Sequence, residues 1–282
     1  MTAISSPARR GRLARMSWLA VLVIGVAAYL LVLRTLVATD NPNFVPSLIL
    51  LGSIVVPSTV LVYAATGGRR IVVSAGLLAI TAILGGVLGT VAAGTLEYDT
   101  LRRLGAVPMI MIGLIEEASK LVVPIIVLVV LRRRDRRAGV IIGVASGMGF
   151  ATLETMGYGF TALLRQRSVV AVEETLLLRA LLSPAGHVAW TGLTVAALWA
   201  IPGSRTKGKA VLRAVGTFVV AVLLHAAWDG FDSLTVHVVV GGVSFVALMI
   251  TIRRSHRDEE RRSRRSRRPQ GGNPSRRNPS RT

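Results

Sequence analysis

Long apolar stretches separated by short polar segments run through most of the chain. A helix that crosses a bilayer needs about 20 mostly apolar residues. Because lipid offers no partners to exposed backbone groups, each such stretch must be helical. Eight stretches have the required length: 18–37, 45–65, 71–95, 107–131, 138–164, 180–201, 211–231 and 234–252. The pattern predicts an all-α fold, a polytopic membrane helix bundle with about eight transmembrane helices.

The composition supports a membrane protein. Of the 282 residues, 52% are hydrophobic and only 17% are charged, whereas soluble domains carry about 25% charged residues. This difference excludes a soluble cytosolic enzyme. The chain has no cysteine, which excludes disulfides, thiolate nucleophiles and thiolate metal sites.

The positive charges alternate between the two sides of the predicted bundle. The segments on one side carry 27 of the 34 basic residues, and no segment breaks the alternation. Since positive residues favour the cytoplasmic side, both termini are predicted to be cytoplasmic. The predicted organisation is a basic N-terminal segment (1–17), a transmembrane bundle (18–252) and an Arg-rich tail (253–282). The tail is expected to be disordered and to bind anionic lipid, and no specific nucleic-acid partner is expected despite the net charge of +20.

A few ionisable residues lie inside the later spans, where a charge costs at least about 2.5–3.5 kcal/mol. They are Glu116, Glu117 and Lys120 in the fourth span, Glu154 in the fifth, His187 in the sixth, and His225 and Asp229 in the seventh. At about 1.5 Å per helical residue, an acid or histidine of each span falls about 5 Å to the outer side of the midplane. This common depth predicts one buried polar cluster.

The residue types in this cluster suit hydrolysis inside the membrane. Two histidines with carboxylates can bind Zn²⁺ or another divalent ion, and a further carboxylate can act as general base towards water. Alternatively, a buried Glu with a His partner could activate water without a metal. Lys120 lies three and four residues after the two acids and can neutralise either of them. Asp229, four residues after His225, can orient its ring or serve as a further ligand.

Four short motifs carry a family resemblance. Glu116-Glu117-Ala-Ser-Lys120, Phe150-Ala-Thr-Leu-Glu154, the span with His187, and His225-Ala-Ala-Trp-Asp229 occur in this order between about 107 and 230. Together they resemble the PrsW family of intramembrane proteases, which is related to the CAAX prenyl endopeptidases. Two positions depart from the family pattern. Ile115 precedes the acidic pair, where a longer acidic run is expected, and Thr155 follows the second motif, where Asn is expected.

The resemblance implies an activity and a role for each site residue. The chain is expected to cleave membrane-embedded proteins, such as an anti-sigma factor, in a bacterial plasma membrane. Glu154, His187 and His225 are expected to bind a divalent metal, Zn²⁺ in the first instance. Glu116 or Glu117 is expected to activate the water, while Lys120 neutralises the second acid and Asp229 orients His225. Independently of the resemblance, residues 165–179 are expected to form an outer loop, which is long enough to sense or admit a substrate.

Two other functions use the same cluster. An ion- or proton-coupled transporter would use it as a relay, but it predicts an inverted internal repeat, and the first three spans lack polar residues that mirror the later set. A non-catalytic membrane scaffold predicts the loss of an acid or histidine, yet the whole set is present. The sequence does not indicate the oligomeric state.

Overall fold

The computed structural model describes residues 11–67, 72–131 and 136–265, and in these ranges every regular element is a helix. The α-helices are α1 Arg12–Arg15, α2 Ser17–Thr39, α3 Val45–Thr66, α4 Ala75–Leu104, α5 Met109–Leu131, α6 Arg136–Gln166, α7 Val169–Leu182, α8 His187–Leu198, α9 Lys207–Gly230 and α10 Leu234–Arg265. Two 3₁₀ turns, Pro42–Phe44 and Ser183–Ala185, precede α3 and α8. The predicted all-α bundle is therefore confirmed.

The helices are those of a multi-pass membrane protein. Within the described ranges, seven helical segments are long and apolar enough to cross a membrane. The predicted span 107–131 is not among them, although it forms the 23-residue helix α5, because α5 carries Glu116, Glu117 and Lys120. These side chains are buried in the bundle and do not face lipid. The crossing of α5 as an eighth span and the cytoplasmic termini stay predictions.

The outer surface of the bundle is apolar. Only 6% of the spanning window of α2 is buried, and large side chains such as Val23, Ile24 and Leu31 are exposed along it. Exposed apolar surface on this scale is typical of contact with a membrane.

The region of the sixth predicted span differs from the sequence interpretation. Residues 169–182, most of which were expected in an outer loop, form the helix α7. The Ser168 hydroxyl caps this helix by accepting a hydrogen bond from the Ala171 N–H at 3.4 Å, and Val172 and Leu176 are buried in a core cluster with α3. The 3₁₀ turn that follows contains Pro184, which has no N–H to donate, and α8 begins only at His187. The predicted span 180–201 is therefore a broken helix.

The helix α6 lies at the centre of the bundle, and 83% of its spanning window is buried. Glycines allow its neighbours to approach closely. A Cβ added to Gly147 would lie 2.6 Å from the His187 carbonyl oxygen, and one added to Gly143 would lie 2.8 Å from the Thr191 carbonyl oxygen of α8. Gly85 and Gly89 of α4 also lie against α6, where an added Cβ would contact Ser146 and Phe150. The close packing fixes α8, and with it His187, against α6.

The helix α10 continues to Arg265, so residues 253–265 of the segment predicted as a disordered tail are helical. Extending an existing helix adds one hydrogen bond per residue without a new nucleation step. The amino-acid composition of the tail does not indicate this extension. Residues 1–10, 68–71, 132–135 and 266–282 lie outside the described residues. The structure therefore does not test the predictions for the start of the N-terminal segment, for two of the basic loops and for the end of the tail.

Candidate functional site

Four helices contribute the polar side chains that lie together inside the bundle. The sequence analysis predicted this cluster, and the structure brings all of its members together: Glu116, Glu117 and Lys120 from α5, Glu154 from α6, His187 from α8, and His225 and Asp229 from α9. The surrounding interior is apolar, with buried Val, Ala and Ile side chains from α6 and α8.

Lys120 lies at the centre of the cluster and is fully buried. Its Nζ lies 2.7 Å from Glu117 Oε1, 3.2 Å from Glu116 Oε2 and 2.7 Å from His187 Nδ1. It also lies 4.2 Å from the centroid of the Phe150 ring. The predicted neutralisation by Lys120 therefore involves both acids, because positions i+3 and i+4 of a helix lie on the same face.

A proline one turn further along α5 changes the hydrogen bonding of Lys120. Pro124 has no N–H, so the Lys120 carbonyl loses its usual helical donor. The Ser146 hydroxyl from α6 donates to this carbonyl at 2.8 Å. This bond connects α5 to α6 immediately below the acids.

Both ring nitrogens of His225 face carboxylate oxygens. Nδ1 lies 2.9 Å from Glu117 Oε1, and Nε2 lies 3.0 Å from Asp229 Oδ2. The ring stacks on Trp190 at a centroid distance of 4.9 Å, and the indole N–H of Trp190 donates to the Ser244 hydroxyl at 2.9 Å. These contacts hold the His225 ring in one orientation, and they place Trp190 directly against the site.

The two nitrogens of His187 face different groups. Nδ1 points towards Lys120 and the α5 acids, while Nε2 lies 2.7 Å from Glu154 Oε2. The same Glu154 oxygen lies 2.7 Å from Arg179 Nη2. The guanidinium of Arg179 also lies 3.8 Å from the centroid of the Tyr158 ring.

Sequence reasoning misses Arg179. The charges of residues 165–179 favour an outer loop for this segment. The signal that places Arg179 in a helix is the Ser168 cap, followed by buried Val172 and Leu176 at helical spacing. Arg179 follows Leu176 by three residues, which turns it towards the bundle.

The donor atoms of Glu116, His187 and His225 could hold a metal ion, since they all lie within 4.8 Å of one another. Two ligands of a tetrahedral Zn²⁺ are about 3.4 Å apart, given metal–ligand distances of about 2.1 Å. Glu116 Oε2 lies 3.6 Å from His225 Nε2 and 4.0 Å from His187 Nδ1. These two distances are within about 0.6 Å of that spacing. The Lys120 Nζ atom lies 2.7 Å from His187 Nδ1 and 3.2 Å from Glu116 Oε2, so a divalent ion held by this set requires the Lys120 ammonium to move aside. Glu154, which the sequence analysis grouped with the histidines, contacts the opposite nitrogen of the His187 ring.

A cavity of about 410 Å³ adjoins the cluster. His187 forms part of its inner wall, together with Ala151, Thr155 and Trp190. One side wall of the cavity is formed by α7 and the 3₁₀ turn, and the other by the end of α9 and the start of α10. A ligand in this cavity would touch His187, which is the member of the cluster among the lining residues.

Comparison with known proteins gives one match. A family model described as PrsW family intramembrane metalloprotease matches residues 56–252. The matched stretch includes every residue of the cluster. No curated protein and no solved structure matches the chain significantly.

Proposed function

Since the family match covers more than half of the chain, the chain belongs to the PrsW family of intramembrane metalloproteases. We propose that its buried cluster of carboxylates and histidines hydrolyses peptide bonds of membrane proteins. The family makes it a hydrolase that acts on membrane proteins. The observation that carries the proposal is the convergence of four carboxylates, two histidines and a lysine beside a cavity in an apolar bundle.

The proposed metal ligands are His187 through Nδ1, His225 through Nε2, and a carboxylate. The distances favour Glu116 as this carboxylate. Metal-binding histidines usually donate their second ring N–H to a carboxylate, and Glu154 stands 2.7 Å from His187 Nε2 in a position to accept that hydrogen bond. The sequence-based assignment of Glu154 as a direct ligand stays the alternative. A divalent ion in this position, with Zn²⁺ as the first expectation, would polarise the substrate carbonyl and lower the pKa of water.

Glu117 is the proposed general base. It would take a proton from the attacking water and pass it to the nitrogen of the broken peptide bond, so that the water oxygen ends in the new carboxyl group. Its Oε1 is held by Lys120 at 2.7 Å and by His225 Nδ1 at 2.9 Å. Lys120 compensates the charge of the acid pair. Asp229 lies 3.0 Å from His225 Nε2, the nitrogen assigned to the metal, so it would serve as a further ligand when an ion is bound and would orient the His225 ring only while Nε2 carries a proton.

The finer biological setting is also part of the proposal. The substrates are membrane-embedded proteins such as an anti-sigma factor, and the location is a bacterial plasma membrane with both termini of the chain in the cytoplasm. The basic tail is proposed to bind anionic lipid. The family resemblance and the distribution of arginines support these statements.

A purified preparation tests the chemistry. The protein in detergent is incubated with a quenched fluorescent peptide of leucine, valine and alanine, and Glu117→Gln is compared with Glu174→Gln on the exposed face of α7. Loss of a general base lowers the rate about 10²- to 10⁴-fold, so Glu117→Gln should abolish measurable cleavage and Glu174→Gln should retain it. Full activity of Glu117→Gln would contradict the assignment of the base.

A further inference from the structure

The mouth of the cavity beside His187 opens on the apolar outer surface of the bundle. Leu178 of α7 and Leu234 and Val238 of α10 line the cavity, and they are 61%, 80% and 63% exposed. In a membrane protein, an exposed apolar rim of this kind faces lipid. The cavity therefore leads from the apolar outer surface of the bundle to His187.

The size of the cavity limits what can enter. Ligand pockets commonly measure about 300–1,000 Å³, and 410 Å³ lies within that range. A helix with its side chains is about 10–12 Å wide, so one 5.4 Å turn occupies roughly 500 Å³. The cavity can therefore hold a few residues and not the roughly 20 residues of a whole spanning helix, so only a short stretch of a substrate can enter it.

An extended chain brings unpaired backbone N–H and C=O groups, which are costly to bury without partners. The cavity wall offers partners of both kinds. Arg179 uses Nη2 and Nε for Glu154 and Thr155, and a guanidinium has further N–H donors. Asp232 on the opposite wall supplies acceptor oxygens.

Ser183 provides a separate indication that this wall binds a polar ligand. It lines the cavity and is only 8% exposed, and its hydroxyl has no hydrogen-bond partner among the described residues. Buried hydroxyls are nearly always paired in native proteins. A ligand backbone in the cavity would supply the missing partner.

We propose that this cavity is the substrate site, and that it binds an extended, apolar stretch of a membrane-embedded protein that enters from the lipid between α7 and α10. Leu178, Leu182 and Trp228 contact the substrate side chains, while Ser183, Arg179 and Asp232 bind its backbone. This inference rests on the proposed function, and it adds the conformation, the polarity and the entry path of the substrate.

Paired tryptophan variants on the rim test the entry path. Leu178→Trp and Val238→Trp narrow the mouth, whereas Leu177→Trp and Val239→Trp add the same side chain at neighbouring exposed positions that do not line the cavity. The probe is a six-residue peptide of leucine, valine and alanine with one diazirine-leucine. It is photo-crosslinked to the full-length protein in detergent, and the labelled residues are mapped by mass spectrometry.

The proposal predicts labels within residues 178–190 and 228–238 of the wild type. Labelling should fall about tenfold, equivalent to about 1.4 kcal/mol of binding, in the two mouth variants and stay within about twofold in their neighbours. Ser183→Ala should reduce labelling about three- to tenfold, as expected for one lost hydrogen bond. Labels confined to other surfaces, or equal labelling by all four tryptophan variants, would overturn the proposal.

A second probe separates a peptide from a lipid. A phosphatidylglycerol with a diazirine in its acyl chain is crosslinked under the same conditions, and labelling of the cavity by this lipid but not by the peptide would overturn the substrate assignment. Binding is read without cleavage, so the two proposals fail separately. A wild type that labels in the cavity but hydrolyses no peptide contradicts the proposed function alone.

Discussion

Replacing Lys120 by methionine removes the cation at the centre of the buried cluster. The Nζ atom lies 2.7 Å from Glu117 Oε1 and 3.2 Å from Glu116 Oε2, and the side chain is fully buried. Methionine has a similar length but no charge. The variant Lys120→Met therefore leaves two buried carboxylates without their ammonium partner, and we expect a large loss in the free energy of unfolding.

The distances set the size of this loss. At an effective dielectric constant of about 20, unit charges at 2.7 and 3.2 Å attract by about 6 and 5 kcal/mol. The cost of removing an ammonium and two carboxylates from water cancels most of this attraction. Breaking a buried ion pair by removing one partner typically costs about 3–5 kcal/mol, and we expect a loss in that range. This exceeds the usual effect of a surface substitution, about 0.5 kcal/mol.

Unfolding in mixed micelles by increasing amounts of sodium dodecyl sulfate measures the loss. Lys209→Met, at an exposed position of α9, is the matched control and should change the stability by less than about 0.5 kcal/mol. Adding Glu117→Gln to Lys120→Met removes one of the uncompensated charges, so the double variant should be at least about 1 kcal/mol more stable than the sum of the single effects predicts. Equal stability of Lys120→Met and Lys209→Met, or strict additivity, would refute the account of the charge balance.

Two further predictions concern the metal and the packing of α8. Purified Glu116→Gln should lose its bound zinc, which is measured by mass spectrometry of the metal. Glu154→Gln should keep zinc with an affinity reduced about 10- to 100-fold, as expected when a residue that orients a ligating histidine is lost. The opposite order of zinc loss would show that Glu154 is the ligand. Gly147→Ala places a Cβ 2.6 Å from the His187 carbonyl oxygen, whereas Gly157→Ala on the same helix meets no atom within 4 Å. Gly147→Ala should destabilise the protein by about 1–3 kcal/mol and reduce peptide cleavage, and Gly157→Ala should leave cleavage unchanged. Equal cleavage by both variants would show that α8 tolerates displacement.

The sequence is sufficient to predict the bundle and the members of the cluster. Apolar stretches of spanning length have few alternatives to helices, and an ionisable residue inside such a stretch is conspicuous. Because helical rise is constant, the depths of Glu116, Glu154, His187 and His225 can be compared by counting residues along each span. Their short mutual distances follow from that common depth.

The features that the sequence analysis missed depend on side-chain direction and on local breaks. The charged residues within 165–179 led to the prediction of a loop where the structure has the helix α7. The contact of Arg179 with Glu154 was missed for the same reason. The break before His187 arises from a 3₁₀ turn with Pro184 in the middle of an apolar stretch. Hydropathy alone predicts one continuous helix over this stretch. Which nitrogen of His187 faces which carboxylate depends on the orientation of the ring, and helical spacing does not specify it.

The central claim, proteolysis by the buried cluster, is tested most directly by the N-termini of membrane proteins in intact cells. Cells that express the wild type are compared with cells that express Glu117→Gln at the same level. The account predicts new N-termini, within or immediately outside membrane spans, that occur only with the wild type, and these termini would identify the substrates. The same termini in both strains, with the wild type shown to be active on the fluorescent peptide, would contradict the role of Glu117 and the claim that this cluster cleaves membrane proteins.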